Sequence, residues 1–63
     1  MPREFKTDID AILAIEGGDL PGPDFVAAFQ KLIDSGIVWS LQGYYGRTAA
    51  NLIDTGYCQS KDN

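Results

Sequence analysis

The residues able to do chemistry in this chain gather in Gly43-Tyr44-Tyr45-Gly46-Arg47, where two glycines three apart enclose two tyrosines and an arginine follows. Each type has a use there. Glycines let a backbone come close to a phosphate, and the free amides at a helix start favour an anion. Tyrosine rings stack on bases. A guanidinium pairs bidentately with phosphate or carboxylate. The same five residues are also what a tight helical corner would use. Gly43 and Gly46 would then form a flat spot for Trp39 or for a Phe25/Phe29 face, with Tyr45 joining the core. A third reading makes the corner a protein-binding surface built on Tyr44 and Arg47.

Specific nucleotide chemistry finds little further support. A GxxG loop before a helix is how KH domains clamp single strands. Those domains are longer, contain a sheet and carry basic residues inside the loop, where this chain has two tyrosines. No Gly-Lys-Ser/Thr follows, so a phosphate-binding P-loop is excluded. Cys58 lacks a histidine to act as its base, because the chain has none. Asp34 and Asp54 each stand two residues before a glycine expected to end a helix, which makes them solvent-facing rather than an acid/base pair. Thr48 is a candidate cap for the last helix, and Ser40 has no activating neighbour. The expectation is a non-enzyme with no cofactor and no metal.

Sixty-three residues make one small domain. Chains of this size usually need a disulfide, a metal or self-association to hold a fold. One cysteine and no histidine rule out an internal disulfide and a Cys/His zinc site, so a homodimer is expected. The lone thiol fits a reducing cytosol. The opening MPREFKTDID has no apolar run of signal-peptide length, and no stretch is long and apolar enough to span a bilayer. Five Lys/Arg against nine Asp/Glu give a formal charge of −4, with Arg3, Lys6, Lys31, Arg47 and Lys61 scattered. Duplex DNA and anionic membranes are repelled at long range by such a chain.

Patterning predicts an all-α fold of three helices plus a short buried turn. Thr7 or Asp8 caps a first helix whose Ile9, Ile12 and Leu13 recur at helical spacing, and Gly17-Gly18 ends it. The linker DLPGP resists helix, although Pro23 suits a first turn. Residues 24–35 then place Phe25, Ala28, Phe29, Leu32 and Ile33 on one face, and Gly36 stops the helix. Residues 37–42, IVWSLQ, form a short buried helical turn, since no second strand is available to pair with them. From about residue 44 to residue 55, Tyr45, Ala49, Leu52 and Ile53 recur at helical spacing, and Gly56 closes the segment. Residues 1–6 and 59–63 are expected to fray.

LIDSG (residues 32–36) and LIDTG (52–56) differ by one serine-to-threonine exchange, with AIEGG (14–18) a looser third version. One helix-ending solution used three times accounts for this echo. Gly36, Gly43, Gly46 and Gly56 are thus expected in turns or packing, and Trp39, Gln42, Tyr44 and Arg47 on a partner-binding surface. A helix-turn-helix-like nucleic-acid binder is the rival reading. There Gly36 would lie in the turn, and Arg47, Thr48 and Asn51 would reach bases or phosphates.

EGGDL followed by FQKLIDSGIVWSLQGYYGRTAANLIDTGYC resembles a family of very small proteins encoded by tailed bacteriophages. In that pattern an E-G-G/E-L step precedes a helix ending LIDSG or LIDTG, then W-x-LQG-x-YGR-x-A and a closing LI-x-x-G. The match covers about residues 14–58 and departs from the pattern in the PGP of the linker. The resemblance implies a setting, the cytoplasm of an infected bacterium, and no reaction. Small acidic phage proteins often bind a host polymerase, nuclease or defence component, so a host protein is the partner this setting implies. A virion-associated structural role is a further alternative.

Overall fold

The computed structural model describes residues 4–60, which form three α-helices and one 3-10 turn, with no strand among them. The fold class is all-α. Helix α1 (Asp8–Gly17) starts where Thr7, in extended geometry, accepts a hydrogen bond at its hydroxyl from the Asp10 amide. Helix α2 (Gly22–Ser35) begins two residues earlier than the apolar stripe requires. Pro21 stands at its cap and Pro23 in its first turn, where a missing amide hydrogen costs nothing. The 3-10 turn (Ile37–Ser40) leads into α3 (Gly43–Thr55).

The helices end as the repeated pentapeptide predicts. Gly18, Gly36 and Gly56 have φ of 79°, 85° and 92°, the left-handed region, and each amide bonds back to an isoleucine carbonyl in the last turn. The serine-to-threonine exchange keeps one bond in common, while Thr55 Oγ1 bonds more closely to the Asn51 carbonyl at 2.9 Å and Ser35 Oγ also accepts from the Ile37 amide at 3.3 Å. Ser35 Oγ donates to the Leu32 carbonyl at 3.2 Å and Thr55 Oγ1 to the Leu52 carbonyl at 3.3 Å.

Phe29, Leu32, Ile33 and Val38 are the largest fully buried side chains, so the core is centred on α2 and the turn that follows it. Helix α1 covers one side of α2 through Ala11 and Ile15, and α3 closes the other through Tyr45 and Ala49. Small residues at Ala11, Ala28 and Ala49, all fully buried, let the helix axes come close.

Three expectations need correction. The buried face of α1 is Ala11 and Ile15 with Ile12 half-buried, whereas Ile9 and Leu13 point out, 69% and 65% exposed. The run AILAI is apolar all round, so periodicity alone cannot pick its inner face, and the pairing with α2 does. The turn after Gly36 buries Val38 but exposes Trp39 and Ser40. Thr48 does not cap α3; the cap residue is Gln42, whose side chain makes no capping bond. At the two described ends, where fraying is expected, the structure shows contacts. Phe5 is buried in the core, and Gln59 is tied to α2: its amide donates to Gln30 Oε1 at 2.9 Å and its carbonyl accepts from Gln30 Nε2 at 3.0 Å. The remaining residues expected to fray, 1–3 and 61–63, lie outside the described residues.

Candidate functional site

The glycine-tyrosine corner is the first turn of α3, preceded by the 3-10 turn. The packing role expected for Gly43 and Gly46 is absent. Both have ordinary helical φ, and a side chain added at Gly46 would meet nothing among the described residues within 4 Å. At Gly43 such an added carbon would meet, among the described residues, the Arg47 guanidinium, 3.5 Å away. Neither Trp39 nor the phenylalanines sit on the glycines. Arg47, one turn on, lies back along the start of the helix, its guanidinium at ordinary contact distance from where a Gly43 side chain would stand.

That placement has an electrostatic consequence. The first amides of α3 carry the positive end of the helix dipole, and no side chain caps them. Arg47 adds a full positive charge at the same end, producing a local positive spot on a chain of net charge −4. Such a spot accepts a carboxylate or another anion.

Tyr44 is half exposed and Tyr45 is not, although they are neighbours. Tyr45 is buried on Phe29, with ring centroids 5.9 Å apart, and its hydroxyl donates to the Glu16 carboxylate at the end of α1. Burial, then the Glu16 bond and charge, push the Tyr45 phenol up to about 12 from 10.0. Tyr44 packs edge-on against Tyr45 at 5.4 Å. A chain of rings thus runs Phe25, Phe29, Tyr45, Tyr44 from the far side of the core to the surface, and it braces the exposed tyrosine from below.

All four residues expected on a binding surface are solvent-exposed: Trp39 at 53%, Tyr44 at 50%, and Gln42 and Arg47. Tyr44 and Arg47 share a face of α3 by their i, i+3 spacing. Gln42 stands at the helix cap and Trp39 one turn earlier, in the 3-10 turn. Gly36 and Gly56 end helices and take no part in this surface. Of the rival trio, Arg47 and Asn51 are exposed and Thr48 is half-buried.

Other chemistry is closed off locally. Cys58 is buried, its thiol directed at the Val26 carbonyl at 3.6 Å, and burial followed by the nearby Asp34 charge raises its pKa. The thiol is therefore protonated and shielded. Asp34 is exposed and accepts a hydrogen bond from Gln30, and Asp54 is exposed. Among the described residues no cluster of three potential metal ligands occurs, and no helix is long and apolar enough to cross a membrane.

Sequence reading missed two features. One is an open, apolar groove of about 620 Å³ lined by Gly22, Pro23, Phe25, Val26, Leu52 and Tyr57, with Tyr57 68% exposed. Phe25 and Leu52 were assigned to helix faces, but nothing in their spacing says that the faces diverge. The other is the Gln30 clamp on the tail, for which a lone glutamine in a helix gives no signal.

The fold and surface together define a small all-α domain with an exposed aromatic and cationic corner. The chain belongs to the family described as a domain of unknown function, DUF7417, which matches residues 4–63. No curated protein and no solved structure matches it.

Proposed function

We propose that this domain is a small phage-encoded module that binds a host protein in the cytoplasm of the infected bacterium through Trp39, Gln42, Tyr44 and Arg47. The observation that carries the reading is the exposure of Tyr44 and Arg47 on one face at the open start of α3, with Trp39 exposed in the turn that precedes it. Aromatic and arginine side chains supply most interface hot spots, because they bury much area for few rotatable bonds or make bidentate ionic contacts. The rigid support of Tyr44 by Tyr45 lowers the ordering cost of binding. The positive spot selects a partner surface that offers a carboxylate. The phage setting rests on the W-x-LQG-x-YGRTA resemblance.

The module acts as a homodimer in this reading, joined through the groove formed by Phe25, Val26, Leu52 and Tyr57. That groove is lined by no charged side chain, so two acidic copies meet there with least repulsion.

Affinity capture from nuclease-treated host lysate, comparing wild type with Tyr44→Ala/Arg47→Ala, tests the proposal. A host protein retained by wild type and lost by the variant is the expected result. Capture that needs intact nucleic acid and weakens steeply with salt would replace it with the nucleic-acid reading through Arg47 and Asn51.

A further inference from the structure

Helix α1 carries on its outer side a row of side chains left exposed among the described residues. Ile9 and Leu13 are one turn apart on the same face and are the most exposed aliphatic side chains of the described residues. The row continues to Gly17, where an added side chain would meet nothing among the described residues within 4 Å. Helical spacing puts Asp10 on one edge of this row and Glu16 on the other. From Asp8 to Asp19 the chain has four acids and no base. Glu16 is held in place by the Tyr45 hydroxyl, a neutral donor that orients the carboxylate without cancelling its charge.

We propose that this face of α1 docks one amphipathic helix of a partner protein, with a leucine- or isoleucine-rich seam flanked by lysine and arginine. Ile9 and Leu13 would form the ridge that enters the seam. The basic flanks would meet the acidic rim of the helix, Glu16 foremost, as flanking charges do in paired helices. Charge decides the occupant. A second copy of this chain would bring the same carboxylates face to face, and an anionic membrane would meet the same acids. The surface lies on a different helix from Trp39, Tyr44 and Arg47, and only Glu16, through Tyr45, touches the support of that corner.

The test titrates the isotope-labelled full chain with a synthetic amphipathic helix of leucine seam and lysine flanks, read by amide and methyl shifts. The same peptide with glutamate flanks is the control. The expected result is a set of shifts centred on Ile9, Leu13 and Glu16, with no binding of the glutamate-flanked peptide. Leu13→Ser should weaken binding about tenfold and Glu16→Gln about threefold, while Trp39→Ala leaves it unchanged. Rising salt should weaken it further. Because Ile9 and Leu13 are exposed, Ile9→Ser and Leu13→Ser leave the fold intact, and unperturbed core signals verify this. Absence of binding, equal binding of the glutamate-flanked peptide, shifts confined to α3 or self-association through α1 would each overturn the proposal.

Discussion

Single residues decide two features of this domain. The Tyr45 hydroxyl is buried with Glu16 as its acceptor, so Tyr45→Phe should destabilise the fold by about 1–2 kcal/mol in denaturant melts. The same bond sets an alkaline limit. The folded state holds the Tyr45 proton up to about 12, whereas the unfolded chain releases it near 10.0. The stabilising contribution is therefore complete below pH 10 and is lost as pH rises through 12. Melts across that window should show a stability loss in wild type that Tyr45→Phe lacks. Gln30 is the second case. Gln30→Ala removes both bonds to Gln59, and the buried Cys58 next to Gln59 should then react at least several-fold faster with a chromogenic disulfide reagent. An unchanged rate would mean that Cys58 is shielded by its own packing and by its bond to Val26 alone.

At the scale of elements, the glycines divide into two kinds that a substitution pair separates. Gly36→Ala forces a side chain into φ of 85° and should cost about 1–2 kcal/mol, whereas Gly46→Ala enters helical backbone with open space and should stabilise α3 by about 0.5–1 kcal/mol. Thermal melts of both variants check this. The sequence made the first kind legible, since LIDSG, LIDTG and AIEGG each end in a glycine that the chain uses to leave a helix. It misled on the second, because GxxG spacing reads alike for close packing and for an open helix start. Helix α2 was legible for a similar reason: its stripe of Ala28, Phe29, Leu32 and Ile33 has a single apolar face. Helix α1 has no such asymmetry, and Ile9 and Leu13, read from the sequence only as recurring at helical spacing, lie on its outer face. Exposure of Trp39, Gln42, Tyr44 and Arg47 followed the expectation for a binding surface, but the support of Tyr44 by Tyr45, Phe29 and Glu16 links residues up to 29 apart in sequence. No local pattern encodes such a contact.

The described residues present three surfaces of different character: a cationic aromatic corner at the start of α3, an uncharged groove between α2 and α3, and an acid-edged apolar row on α1. Assigning self-association to the groove predicts that Tyr57→Ser shifts the chain toward monomer in sedimentation while Ile9→Ser does not, because Tyr57 lines the groove and remains 68% exposed in the single chain. The central claim concerns the corner, and the chain's single tryptophan stands in the 3-10 turn that leads into it. Fluorine NMR of the fluorotryptophan-labelled protein in nuclease-treated host lysate therefore reads that surface directly. The account predicts that the Trp39 resonance shifts or broadens in lysate and stays sharp in the Tyr44→Ala/Arg47→Ala variant. A resonance that is equally sharp in both, or equally broadened in both, would contradict partner binding at the corner.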